Sequence, residues 1–293
     1  MTRPAPFGTT SKSVFIPVGM VLVSMLSIQC SASLAKSLFA LISPAGVTAL
    51  RLLFSALILL AVFKPWRTPI TRAAWRPIII YGLALGCMNL TFYIAIQRIP
   101  LGIAVALEFT GPLAIAMWSA RRLVDFVWVG FAVTGVCLLL PLRQTVGSLD
   151  AIDPFGTCCA LAAGFFWALY IIFGRKAGMA NGTASVALGT LIGALIIFPV
   201  GVATEGLGLF SLAVLPYAVL IGIFSSALPY GLEMVALARI PAQTFGILMS
   251  LEPALGALSG FIFLGEQLSV TQWTALLCII VASAGATLTI RRG

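Results

Sequence analysis

Lys36, Arg51, Glu108, Glu233 and Glu252 are charged residues lying inside long apolar runs, where each needs a partner or a task. A charge at the centre of a membrane helix costs roughly 2.5–3.5 kcal/mol on insertion scales, so such residues often mark substrate or proton paths. Two cations and deep carboxylates form the set that a zwitterion requires. A positive group takes the carboxylate, and an anionic group takes the ammonium. Lys36 or Arg51 would supply the first and Glu252 the second, with Asn89 and Tyr93 meeting further polar groups. Glu108 or Glu252 would carry a proton, since loss of water disfavours the charged form of a carboxylate. Glu252 precedes Pro253, whose missing N–H is expected to kink the helix and free backbone carbonyls. It lies too deep to snorkel.

Structural readings stand beside these. Arg51 and Glu108 could be a buried ion pair holding the second and fourth helices together. Lys36, a few residues from a helix end, can reach an interface by snorkelling. Glu233 shares a face with Ser226 and Tyr230 and reads better as a helix end near the headgroups. Gln29, Ser33 and Lys36 share one face of the first helix, and Asn89, Tyr93 and Gln97 one face of the third. Phe166, Trp167 and Tyr170 read as packing aromatics. The pairs Gly82/Gly86, Gly189/Gly193 and Gly256/Gly260 predict close helix contacts.

Several chemistries are excluded. With no histidine in the chain, Ser-His-Asp and Cys-His catalysis are absent. The six cysteines sit in apolar runs without metal-ligand spacing, so neither metal nor cofactor is expected. No GxxxxGK[ST] stretch exists to bind ATP. The net charge of +9 accompanies no basic stripe interleaved with aromatics, so nucleic acid is not an expected partner.

The elements that must position the buried charges are set by composition. Only 9% of the 293 residues are charged, against roughly 25% in soluble domains, so lipid is the expected solvent. Ten runs are long enough to span, at about 16–39, 45–63, 77–97, 101–120, 124–142, 155–174, 183–203, 212–236, 241–264 and 269–290. At 1.5 Å per residue, Lys36, Arg51 and Glu108 lie within about 10 Å of one surface. Thirteen of the 17 basic residues fall on the other side, which predicts cytoplasmic termini.

The fold expected is all-α and integral to the membrane, with ten transmembrane helices as two inverted five-helix repeats. Arg98-Ile99-Pro100 and Arg239-Ile240-Pro241 recur at one offset, which Pro112 and Pro253 share. The parts are a disordered N-terminus (1–15), a first repeat (16–142), a periplasmic linker (143–154), a second repeat (155–290) and a short C-terminus (291–293). Inverted repeats are the mark of secondary transporters with a midplane site.

The plan and several runs resemble the drug/metabolite transporter superfamily, in its EamA group. The runs are 32–39 (ASLAKSLF), 46–52 (GVTALRL), 100–113 (PLGIAVALEFTGPL), 124–128 (VDFVW), 227–230 (ALPY), 244–246 (TFG), 248–250 (LMS), 252–255 (EPAL), 262–266 (IFLGE) and 288–291 (LTIR). The likeness extends from about residue 17 to the C-terminus. It implies a bacterial inner-membrane exporter of small hydrophilic amino acids, threonine and homoserine in particular, working in exchange for protons. The other reading on this scaffold is a broader metabolite or drug exporter.

Overall fold

The computed structural model describes residues 12–118, 123–139, 152–229, 232, 236 and 248–290. Among these are ten α-helices and no strand. They are α1 (Lys12–Ser37), α2 (Pro44–Phe63), α3 (Arg72–Arg98), α4 (Leu101–Trp118) and α5 (Leu123–Leu139). The second five are α6 (Pro154–Asn181), α7 (Thr183–Glu205), α8 (Leu215–Gly222), α9 (Glu252–Leu264) and α10 (Val270–Ile290). Each falls within or across one of the ten apolar runs. Glu233, Tyr230 and the second Arg-Ile-Pro turn lie outside the described residues.

The spans Phe15–Ala40, Pro44–Arg67, Arg72–Arg98, Pro154–Asn181 and Thr183–Phe210 are long and apolar enough to cross a membrane. Their outward faces carry exposed Phe15, Leu57, Phe165 and Leu195, as lipid-facing surfaces do. Backbone ends are closed locally. Ser43 caps α2 by accepting from Gly46 N–H, and Asp153 caps α6 by accepting from Gly156 N–H at 2.7 Å.

The packing is ordered by pairs. Helix α2 lies on α7, α5 on α10 and α4 on α9. Helix α3 packs on α6 and α7, while α1 and α2 pack on α8 and the turn that continues it. Small residues permit the closest approaches. A Cβ on Gly82 would lie 2.6 Å from the Gly189 carbonyl oxygen, and one on Gly193 would lie 3.0 Å from that of Gly82. The paired GxxxG stretches of α3 and α7 thus face each other across one seam. Gly164 of α6 lies against the backbone of Glu108, its Cβ position 2.6 Å from the carbonyl oxygen. Gly164→Ala must push α6 off α4. It is expected to destabilise the fold by about 1–3 kcal/mol, read as a lower unfolding midpoint in detergent.

Two helices are interrupted. Residues 223–227 continue α8 as one π-helical turn. The expected kink beside Pro253 is instead a break: residues 248–249 are helical, 250–251 form a turn, and α9 starts anew at Glu252. A proline in the first turn of a helix forfeits no hydrogen bond, since that N–H has no intrahelical partner. Glu252 therefore stands at a helix start, not half-way along a continuous one.

Candidate functional site

A cavity of about 440 Å³ lies among α1, α2, α3, α4, α6, the π-helical turn and the break before α9. Arg51, Asn89, Tyr93, Glu108 and Glu252 all line it. Five of the six residues singled out by sequence thus meet in one chamber. Lys36 does not.

Arg51 enters from α2 and is held by neutral groups. Its Nε donates to Ser225 Oγ at 2.8 Å, and Nη1 donates to Asn89 Oδ1 at 2.5 Å and Tyr93 Oη at 3.2 Å. The guanidinium carbon lies 5.3 Å from the Tyr93 ring centroid. Asn89 is itself fixed, its Nδ2 donating to the Leu85 carbonyl at 2.8 Å. The anticipated Arg51–Glu108 ion pair is not formed; among the described residues only Lys36–Glu266 and Arg98–Asp153 pair within 4 Å. The positive charge of Arg51 faces the cavity without a carboxylate in contact.

Two carboxylates face the same space. Glu108 comes from the middle of α4 and is 8% exposed. Glu252 comes from the start of α9 and is 6% exposed, with Gln29 Nε2 3.5 Å from its Oε1. The start of a helix favours an anion through its unpaired N–H groups and dipole. A broken helix at such a site is common in transporters. The rest of the wall is apolar and aromatic, from Phe92, Phe109, Trp167 and Tyr170. Trp167 stacks edge-on to Phe109 at 5.6 Å between centroids. Of the three aromatics read from sequence as packing, Trp167 and Tyr170 thus line the cavity and Phe166 does not. Ser225 was not legible as a site residue at all, because its position depends on the π-helical turn.

Lys36 lies outside the cavity lining and is engaged elsewhere. Its ammonium donates to Glu266 Oε1 at 2.5 Å and to the Ile99 carbonyl at 2.9 Å. Glu266 Oε2 accepts from Leu101 N–H at 2.7 Å, capping α4. Below them Ser33 and Ser259 share a hydrogen bond at 2.8 Å. The polar face of α1 seen in sequence thus binds α9 along its length. Because Glu266 both pairs and caps, Glu266→Ala is expected to cost about 1 kcal/mol more stability than Lys36→Met. Thermal unfolding of the two variants in detergent measures the difference.

The family of EamA-like transporters matches over residues 154–288. The threonine/homoserine exporter RhtA of Salmonella typhimurium strain LT2 is 53% identical over 287 residues, which cover 98% of this chain and 96% of that protein. The chain belongs to the EamA-like transporter family. RhtA of Escherichia coli strain K12 is 54% identical over 279 residues, covering 95% of this chain and 94% of that one. A solved crystal structure matches the fold with a TM-score of 0.61 at 19% identity, covering 97% of this chain and 99% of that chain. This EamA-like transporter is a multi-pass membrane protein and not an enzyme.

Proposed function

We propose that this transporter exports threonine and homoserine across a bacterial inner membrane by alternating access, in exchange for protons. The observation that carries the reading is one cavity in which Arg51 and the carboxylates of Glu108 and Glu252 face the same space. Its support is strengthened by relatives of 53–54% identity over nearly the full length that are named as threonine/homoserine exporters. Arg51 takes the substrate carboxylate and Glu252 the ammonium, with Asn89 and Tyr93 holding the guanidinium. A proton and an ammonium compete for a carboxylate, so Glu252 or Glu108 returns protonated when the substrate has left. Lys36 closes the outer end through Glu266, its ion pair breaking when the cavity opens outward.

Both termini lie in the cytoplasm on this reading, and residues 16–142 and 155–290 are inverted halves joined by a periplasmic linker. The packing supports it. Exchanging each helix with the one five places along turns α3–α6 into α8–α1 and α4–α6 into α9–α1, all of which are in contact. The pairs α2–α7, α4–α9 and α5–α10 map onto themselves.

The test is counterflow of labelled threonine in proteoliposomes. Saturable exchange, competed by homoserine, is the expected result. No competition by homoserine would remove the substrate assignment. The breadth of the aromatic wall favours a second reading, a wider metabolite or drug exporter; strong competition by bulky aromatic cations without any by homoserine would select it.

A further inference from the structure

A guanidinium has five N–H donors in a planar fork. In Arg51 three are engaged: Nε on Ser225, and both protons of Nη1 on Asn89 and Tyr93. Among the described residues Nη2 has no hydrogen-bond acceptor. A carboxylate binds such a fork best with two parallel bonds, either across Nη1 and Nη2 or across Nη2 and Nε. The first edge requires displacement of Asn89 or Tyr93 from Nη1, the former bonded at 2.5 Å and itself fixed by its bond to the Leu85 carbonyl. The second requires displacement of one neutral hydroxyl, that of Ser225.

Ser225 stands in the π-helical turn, 174 residues from Arg51. That turn is anchored to the first half by hydroxyls. Ser27 Oγ donates to the Phe224 carbonyl at 2.6 Å, and Ser55 Oγ lies 2.8 Å from Ser226 Oγ. Ser31 Oγ donates to the Ile221 carbonyl at 3.4 Å. An isolated π turn often marks a functional position within a helix. The Arg51–Ser225 bond is the member of this set that a ligand in the cavity can reach.

We propose that Ser225 is a placeholder for the substrate carboxylate: binding across Nη2 and Nε displaces its hydroxyl and removes one of the bonds between the π-helical turn of α8 and α2, leaving Ser55–Ser226 as the remaining hydroxyl contact. Occupancy of the site is thereby passed to α8. Ser225 acts through Arg51 and is a positioning residue. The inference rests on the reading that Arg51 takes the carboxylate.

Threonine binding to the purified full-length chain and the maximal rate of threonine counterflow separate the possibilities. Ser225→Ala removes the competing acceptor. It is expected to bind threonine about two- to tenfold more tightly, the equivalent of one neutral hydrogen bond no longer displaced, while maximal exchange falls at least about tenfold. Ser225→Thr keeps the hydroxyl and is expected to restore the rate. Weaker binding with a proportionate loss of rate, or no change in either, overturns the proposal. Should the alanine variant fail to stay monodisperse, Ser225→Cys carries the same test with a poorer acceptor and the same expected direction. Arg51→Gln tells the two ideas apart. Retained binding there sinks the role of Arg51, whereas lost binding with an unaffected Ser225→Ala sinks only the placeholder.

Discussion

Arg51→Gln is expected to lower threonine counterflow by roughly 30-fold to several thousandfold, equivalent to about 2–5 kcal/mol for truncating one partner of a buried charged contact. The loss has two sources. The substrate carboxylate enters a cavity with no cation to receive it. Glu108 and Glu252 are also left facing one another's field across the chamber with no cation among the described residues that line it. Arg51→Lys restores the charge but not the planar fork. Nor can a lysine reach Ser225, Asn89 and Tyr93 at once, as Arg51 does. Its activity should lie between the two. Exchange by Arg51→Gln within about twofold of the parent would show that the carboxylate is bound elsewhere.

Glu252→Gln is expected to uncouple transport from an imposed pH gradient and to weaken threonine binding by about tenfold or more, the scale of a charge-assisted hydrogen bond. Glutamine is close in shape, so the start of α9 and the neighbouring Gln29 contact are retained. What goes is the negative charge that proton and ammonium share. Glu108→Gln isolates the second carboxylate. Its companion measurement is threonine uptake against an inward or outward pH step in the same vesicles. If both variants respond to the step as the parent does, neither carboxylate carries the proton.

Much of the helical plan was legible in the sequence, because a membrane leaves a composition signature in every span. The long apolar runs around Arg51, Asn89 and Tyr93 became α2 and α3 at nearly the expected bounds. Pro253 signalled an irregularity, but a proline is equally compatible with a kink and with a first turn. The neighbouring turn at residues 250–251 decides for the latter.

Partner choice was less legible. Lys36 and Glu266 are 230 residues apart, and only the packing of α1 on α9 brings them together. Arg51 and Glu108 looked like partners by depth alone, yet depth fixes one coordinate of three. The angular positions of α2 and α4 turn the guanidinium toward Asn89, Tyr93 and Ser225 instead. A serine in an apolar run carries almost no signal, since such hydroxyls usually bond their own helix. Ser225 departs from that habit through one extra residue in a single turn.

The glycine seam between α3 and α7 bears on how the molecule moves. Where side chains interlock, one helix can pass another only by lifting each knob from its hole. Between Gly86 and Gly193 the contact is largely backbone against backbone, but the Tyr81 ring seats on Gly189 and the Ile192 side chain on Gly82. Each helix thus lodges a side chain over a glycine of the other, and the two are geared together. Any movement of α3 that carries Asn89 and Tyr93 is expected to take α7 with it.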